Sequence, residues 1–267
     1  MQSDVLIRWM HTQVGVGLRQ AVVVSALALA VAWMGHTRKL ELRGETAVAL
    51  VRGLGQMLAI GLVLVWLLKG AALWSLPALG AMCATAAVMA QRRLKMKPEW
   101  RGQMYWLCLR AIGTGSAVVI GTMTLTHVIA FRAMALVPLG SMIIANSMNT
   151  CTQVLERFGS DLKLNAGRVE AALALGATSA QAALPSAKNA TSAALIPSLN
   201  SLRSLGIVWI PGFAAGMLLT GSDPVYTAIY QFMVIAMIYA ASGVTALVAA
   251  RGFERAALAG ERLARFE

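Results

Sequence analysis

Residues 226–250 read YTAIYQFMVIAMIYAASGVTALVAA, an uninterrupted run without one charged side chain. A helix of about 20 apolar residues is long enough to cross the hydrocarbon core of a bilayer. Lipid offers no hydrogen-bond partner to an open backbone, so a spanning segment of this kind is helical. The run therefore predicts a membrane-spanning helix.

Six further apolar runs of comparable length precede this one, at residues 14–34, 47–68, 71–90, 104–128, 133–153 and 193–219. The first resembles a signal peptide with a cleavage site at Ala26-Leu27-Ala28, but its apolar residues continue to Met34, and we expect a retained helix. Hydrophobic residues make up 58% of the 267 positions and charged residues only 13%, whereas soluble domains are about one quarter charged. The sequence predicts an all-α, polytopic membrane protein with about seven transmembrane helices in a single domain, residues 1–267.

The basic residues are distributed unevenly between the two ends of these predicted spans. Sixteen of the 23 Lys and Arg fall in alternate connections and in the tail, whereas only Arg8, Lys69 and Arg132 fall at the other ends. The sixteen are Arg38, Lys39, Arg43, Arg92, Arg93, Lys95, Lys97, Arg101, Arg157, Lys163, Arg168, Lys188, Arg251, Arg255, Arg262 and Arg265. Because cytoplasmic loops carry the excess of Lys and Arg, the N-terminus is predicted outside and the C-terminus in the cytoplasm. The same bias explains the net charge of +12 without nucleic acid binding.

Polar side chains interrupt two of the predicted spans. Asn146 and Asn149 lie in the fifth, and Asn200, Ser201 and Arg203 lie in the sixth. They are candidates for the lining of a translocation path, because an ionisable residue inside a membrane is costly unless it faces a cavity or a partner. Hydrogen bonding between helices is the alternative for the amides.

The sixth span also carries residues that disfavour a continuous helix. Pro197, Pro211 and Gly212 predict a break or kink there. Interrupted helices line binding sites in many transporters, so the predicted break supports this span as part of a translocation path.

Neither the cysteines nor the histidines form a recognisable site. Cys83, Cys108 and Cys151 lie in or beside apolar runs without metal-ligand spacing, and the histidines are scattered, so the metal ligands stay unknown. No nucleophile–base pair is evident, which makes a membrane enzyme the weakest interpretation. The chain also lacks the Gly-x-x-x-x-Gly-Lys-[Ser/Thr] loop that cradles phosphates.

The longest connection, residues 155–192, contains a recognisable pattern. Glu170-Ala171-Ala172 is followed by three residues, Gly176, and later Leu184-Pro185. Ala and Leu favour a helix over residues 168–175, and Gly176 suits the positive φ at a helix end. The pattern resembles the EAA loop of ABC permeases, which implies a cytoplasmic coupling helix between the fifth and sixth spans that seats in a cleft of a separate ATPase. An ordinary amphipathic surface helix is the alternative.

Further motifs narrow the resemblance. In order they are Glu170–Thr178, Gln181-Ala182, Ala194–Ser201, Gly206-Ile207-Val208, Pro211-Gly212, Gly221–Pro224 and Tyr230-Gln231, with Arg52, Gln56, Gly140, Met142, Asn146 and Met148 upstream. Together they resemble the FetB-type family of iron-export ABC permeases, which includes plant aluminium-tolerance relatives. Ala145, where the family usually has Gly, and Trp209, where a smaller residue is usual, depart from the pattern and leave the cargo open.

This resemblance implies a non-catalytic permease subunit in the cell inner membrane that exports iron, another metal or a metal complex. Two copies would pair with two ATPase subunits, which bind ATP and Mg²⁺, and this chain itself would bind no cofactor. Glu170, Ala171, Ala172 and Gly176 would couple to the ATPase, and Arg52 and Gln56 would join the translocation path.

Two other transporter classes stay open. The EAA loop is best known from importers, so an importer permease for a small solute is one alternative. An ion-driven secondary transporter is another, although such proteins usually carry intramembrane carboxylates or repeated halves. The seven predicted spans contain no Asp or Glu, which favours a chelated or anionic cargo over a bare iron ion.

Overall fold

The computed structural model describes residues 16–17, 20–34, 43–69, 72–94 and 98–258, and every regular element among them is a helix. The all-α class predicted from the sequence is therefore confirmed. In chain order the helices are α1 (Gln20–Met34), α2 (Arg43–Lys69), α3 (Ser75–Arg93), α4 (Arg101–Leu125), α5 (Ala133–Leu164), α6 (Ala166–Ala174), α7 (Ser179–Ser204), α8 (Gly212–Leu219) and α9 (Pro224–Leu258). Some residues named in the sequence analysis lie outside the described residues. From the predicted spans these are residues 14, 15, 18, 19 and 71, and from the basic residues they are Arg8, Arg38, Lys39, Lys95, Lys97, Arg262 and Arg265.

The contacts divide the chain after Lys69 into two compact units. α1 and α2 belong to the first unit, and many of their apolar side chains are exposed, including Val22, Val51 and Met57. α3 to α9 belong to the second unit, in which α9 packs against α4, α5, α7 and α8. α9 is therefore the central helix of the second unit.

Two of the described helices are long and apolar enough to cross a membrane. They are α4 and the Pro224–Ala256 part of α9, which match the predicted fourth and seventh spans. α1 and the Thr46–Gly61 stretch of α2 are also apolar but shorter. The total number of crossings and the direction of the chain stay predictions.

α5 is longer than the fifth apolar run from which it was predicted. The run ends at residue 153, whereas the helix continues to Leu164. Leu155, Phe158 and Leu162 are fully buried at helical spacing, and the exposed Glu156 and Arg157 between them occupy the outer face of the same helix. The connection predicted at residues 155–192 is consequently almost all helix, formed by the end of α5, by α6 and by the first half of α7.

The predicted sixth run, residues 193–219, is not one continuous helix, which agrees with the break predicted at Pro211 and Gly212. α7 ends at Ser204, and α8 begins only at Gly212. Gly206 turns the chain with a φ of +77°, and its N–H donates to the carbonyl of Trp209 at 3.1 Å. Pro211 then precedes α8 as its N-cap residue. Positive φ is inexpensive only for glycine, so Gly206 makes this sharp turn possible.

Pro197 does not break the helix, which corrects the break predicted at that position; the alternative, a kink, stays a prediction. It lies inside α7, which continues for seven residues beyond it, to Ser204. A proline in a helix interior costs about 3 kcal/mol, but α7 packs along both α5 and α9. The tertiary contacts of α7 outweigh this local cost.

Two apolar clusters fill the second unit. Cluster A includes Met104, Phe158 and Phe253, and the last two rings lie 5.1 Å apart between centroids. Cluster B includes Leu136 and Val234. Inside a membrane, close van der Waals packing stabilises such clusters more than exclusion of water does.

A glycine allows α4 and α9 to approach each other closely. A Cβ placed on Gly115 of α4 would overlap the hydroxyl group of Thr245 and lie 2.8 Å from the carbonyl oxygen of Ala241, both on α9. Small residues at a crossing let two backbones approach. α4 and α9 are therefore packed backbone to backbone at this level.

Candidate functional site

The short helix α6 contains most of the residues predicted to form a coupling helix. It covers Ala166–Ala174, between the end of α5 and the start of α7. Val169 is buried in cluster A, and Ala172 and Leu173 are half-buried against the same cluster. Their spacing of i, i+3 and i+4 places them on one face of the helix. One side of α6 is therefore fixed to the bundle.

The opposite side of α6 is exposed. Glu170 and Ala171 lie on it. Leu175, next to the helix end, is 89% exposed, and Leu164, at the end of α5, is 82% exposed. An exposed carboxylate and a small residue thus lie in the sequence between two exposed leucines, and exposed apolar side chains of this size are typical of protein–protein contact sites.

Hydrogen bonds fix both ends of the turn that follows α6. Gly176 has a φ of +89°, its N–H donates to Leu173 O at 3.0 Å, and the N–H of Ala177 donates to Ala172 O at 3.0 Å. This is the Schellman arrangement that ends a helix. Thr178 then starts α7 with a capping box, in which it exchanges two hydrogen bonds with Gln181. The four-residue connection therefore sets the direction of α7 relative to α6.

α5 exposes a polar stripe within the part of the helix predicted to cross the membrane. Ala145 and Asn149 are exposed, and Asn146 and Gln153 are half-buried. Asn146 Nδ2 donates to the carbonyl of Met142 on the same helix at 2.9 Å. Polar groups that face lipid are costly, so the stripe suits a water-filled passage or a partner subunit.

α7 carries a second polar stripe, and α7 is packed against α5. Ser192, Asn200 and Arg203 are exposed on it. Ser201 is half-buried, and its hydroxyl donates to the carbonyl of Pro197 at 3.0 Å. The candidate path residues of α5 and α7 thus lie on two touching helices, at the surface of the second unit and not in its core.

The remaining candidates of the path, Arg52 and Gln56, belong to α2 in the first unit. Both are exposed. They are four residues apart and therefore share one face of the helix. The structure thus shows that Arg52 and Gln56 share one face of α2, and their place in a translocation path stays a prediction.

A layer of small hydroxyl side chains separates the two apolar clusters. Ser116 of α4, Ser147 of α5, Ser198 of α7, and Ser242 and Thr245 of α9 are all buried. Along α4, α5 and α9 they fall between members of cluster A and members of cluster B, and on α7 Ser198 falls between Ala194 of cluster A and Leu202, which packs against cluster B. The hydroxyl of Ser198 bonds to that of Ser242 at 3.3 Å. Such a layer can hydrogen-bond water or a hydrated cargo without supplying charge.

Three of these hydroxyls lack a hydrogen-bond partner within the described part of the chain: those of Ser116, Ser147 and Thr245. On the exposed side of α4, by contrast, the Thr114 and Thr122 hydroxyls donate to carbonyls four residues earlier. A buried polar group without a partner costs about 1–3 kcal/mol. The sequence did not predict this layer, and its one signal was the recurrence of small hydroxyl residues midway along four helices.

Gln231 is a further buried polar residue. It belongs to the Tyr230-Gln231 motif, for which the sequence predicted no role. It is 3% exposed on α9, and neither end of its amide has a partner among the described residues. Thr227, one turn earlier, is buried and unpartnered in the same part of the structure. The buried stripe of α9 therefore has polar positions at two levels, at Gln231 and in the hydroxyl layer.

Comparison with known proteins gives one consistent result. The family described as "Uncharacterised protein family (UPF0014)" matches residues 18–258. The "UPF0014 membrane protein slr1647" of Synechocystis sp. is 30% identical over 227 residues, which cover 84% of this chain and 85% of that protein. No solved structure matches the chain.

Two other relatives have more informative names. The "Probable iron export permease protein FetB" of Escherichia coli is 27% identical over 241 residues, covering 90% of each chain. The "Protein ALUMINUM SENSITIVE 3" of Arabidopsis thaliana is 28% identical over 228 residues, covering 85% of this chain and 81% of that protein. The similarity spans α6 and both polar stripes in every case, because each alignment covers more than four-fifths of the chain.

Proposed function

The chain belongs to the UPF0014 family of membrane proteins, and on this basis we propose that it is the permease subunit of an ABC transporter on which a separate ATPase docks at α6. The family expected from the motifs, with its FetB and aluminium-sensitive members, is thereby confirmed. The observation that carries the proposal is the exposed face of α6, where Glu170 and Ala171 stand free of the bundle while Val169 anchors the other face.

The position of α6 between two long helices supports the coupling role. α5 has 32 residues and α7 has 26, so at 1.5 Å per residue they extend roughly 48 and 39 Å from α6. Both leave α6 through short, hydrogen-bonded connections. A displacement of α6 by the ATPase is therefore passed to both helices at once, and these helices carry the polar stripes.

The polar stripes support a translocation path between two copies of the chain. Asn149, Asn200 and Arg203 are exposed on a single copy, and lipid is a poor environment for all three. Pairing two permeases would let these residues line a common passage. We place this assembly in the inner membrane as a multi-pass protein of about seven spans, with α6 in the cytoplasm beside the exposed Arg157, Lys163, Arg168 and Lys188.

The cargo we propose is iron or another metal in a chelated or anionic form. The E. coli relative is named as a probable iron export permease. In the described residues, no group of three or more His, Cys, Asp or Glu side chains could hold a metal ion, and Arg203 would repel a bare cation. Efflux assays with ferrous ion, ferric ion and ferric citrate should show transport of the complex, and efflux of the free ion alone would contradict this assignment.

The proposed function is tested by reconstitution. The chain is purified with an ABC ATPase from the same source and placed in liposomes, and ATP hydrolysis and iron movement are measured together. We expect ATP-dependent movement of iron that is lost when Glu170→Lys reverses the charge on α6. Glu99→Lys, an exposed acidic residue before α4, is the matched control. Transport that proceeds without ATP, or that survives Glu170→Lys unchanged, would contradict the proposal.

A further inference from the structure

We propose that a groove between α4 and α9 binds the headgroup of an anionic phospholipid. The groove has a volume of about 720 Å³. Arg110 of α4 and Arg251 and Arg255 of α9 line it together with Trp106, Leu107 and Gly252. Neither polar stripe contributes to it, and lipid binding in the groove does not require ATPase docking.

The charges in the groove are all of one sign. Its three arginines are exposed residues, and no carboxylate is among the lining side chains. Glu254 lies in the same turn of α9 but does not line the groove. Three like charges around one cavity repel each other, and an anion between them converts that repulsion into attraction. The groove is therefore built for a negatively charged group.

The floor of the groove is apolar, which favours a lipid over free phosphate. Gly252 packs against Leu107 so closely that a Cβ at Gly252 would lie 3.1 Å from Leu107 Cγ. Val248 and Ala256 continue this surface along α9. Inorganic phosphate uses only the arginines, whereas a phospholipid also covers the apolar floor with its acyl chains.

The groove lies at the end of two helices that are able to cross a membrane. Its α4 residues, from Gln103 to Arg110, come from the first half of that helix, and its α9 residues, from Val248 to Ala256, come from the last part of the apolar stretch. Trp106 is 58% exposed beside the arginines, and Trp is enriched where helices meet the headgroup layer. Basic pockets between transmembrane helices recognise anionic headgroups in this way.

The test uses the purified full chain in detergent, with lipid binding followed by native mass spectrometry and thermal stability. Phosphatidylglycerol is the probe, phosphatidylcholine is the neutral lipid, and inorganic phosphate is the headgroup-only anion. We expect phosphatidylglycerol to bind at least tenfold more tightly than phosphatidylcholine and to raise the melting temperature. Stabilisation by inorganic phosphate equal to that by phosphatidylglycerol would overturn the lipid assignment.

Variants locate the site. The triple variant R110Q/R251Q/R255Q should lose the preference for phosphatidylglycerol, whereas R132Q/R157Q/K163Q, which removes the same charge elsewhere, should retain it. A photoactivatable phosphatidylglycerol on the wild-type chain should label peptides of α4 and α9, a result that does not depend on the variants folding. Equal loss in both triple variants, or labelling confined to other helices, would overturn the proposal.

Discussion

Replacing Gly176 by alanine should reduce ATPase coupling more than it reduces the stability of the fold. Gly176 has a φ of +89°, where an L side chain costs roughly 1–2 kcal/mol. Nothing lies within 4 Å of a Cβ built there, so the cost comes from the backbone alone. An energy of this size lowers the population of the native turn by a factor of about 5–30. The α6–α7 connection is therefore weakened while the buried core is untouched.

Gly221→Ala provides the matched control for this prediction. Gly221 has a φ of +87° and equally open space around it. Its N–H donates to Leu218 O at 3.0 Å, and the N–H of Ser222 donates to Met217 O at 3.0 Å, as in the turn after α6. Gly221, however, lies between α8 and α9, far along the chain from the proposed ATPase surface. Both variants should lose the same amount of stability, but only Gly176→Ala should reduce transport per ATP hydrolysed.

The assay compares melting temperature in detergent with ATP-driven iron movement in liposomes for both variants. Gly176→Asn adds a graded case, because Asn adopts positive φ more readily than Ala and should restore part of the coupling. Equal losses of transport in Gly176→Ala and Gly221→Ala at matched stability would show that the α6–α7 turn has no special role in coupling. So would full coupling in a folded Gly176→Ala variant.

Three further predictions concern the bundle and the path. Gly115→Ala should destabilise the bundle by about 1–3 kcal/mol through overpacking against α9. Gly140→Ala should cost less stability, because its Cβ meets only the flexible side chain of a leucine of α3, at 2.6 Å. Unfolding in detergent ranks the two variants, and the opposite order would contradict the packing described. A double-mutant cycle of Ser198→Ala and Ser242→Ala should give a coupling energy near 0.6 kcal/mol, and a value near zero would mean that their hydrogen bond contributes nothing. Arg203→Gln should lower the transport rate and leave the melting temperature unchanged, since Arg203 is exposed; unchanged transport would remove it from the path.

The sequence predicted those features whose causes are local. The uncharged run at residues 226–250 is sufficient for a long apolar helix, and α9 covers it completely. The positive φ expected at Gly176 is present because the helix end there needs a residue without a side chain. A long apolar helix and a helix end at a glycine both depend on residues that are close together in the sequence, and they can therefore be predicted from it.

Features that depend on tertiary packing were not predictable in this way. Pro197 and Pro211 have the same local chemistry, yet one lies inside a helix and the other precedes one. Packing of α7 against α5 and α9 keeps Pro197 inside a helix. Pro211, by contrast, follows the turn at Gly206 and therefore lies outside α7. The hydroxyl layer likewise becomes visible only when four helices place Ser116, Ser147 and their neighbours between the same two clusters.

The central claim, that an ATPase docks on α6, is tested most directly by site-specific photo-crosslinking. A photoreactive amino acid is placed at position 170 in one preparation and at position 225 in another, since Glu170 and Val225 are both exposed. The membranes are irradiated in the presence of the co-expressed ATPase. We expect a covalent adduct with the ATPase from position 170 and none from position 225. An adduct from position 225 but not from position 170, with the ATPase bound in both preparations, would contradict the claim.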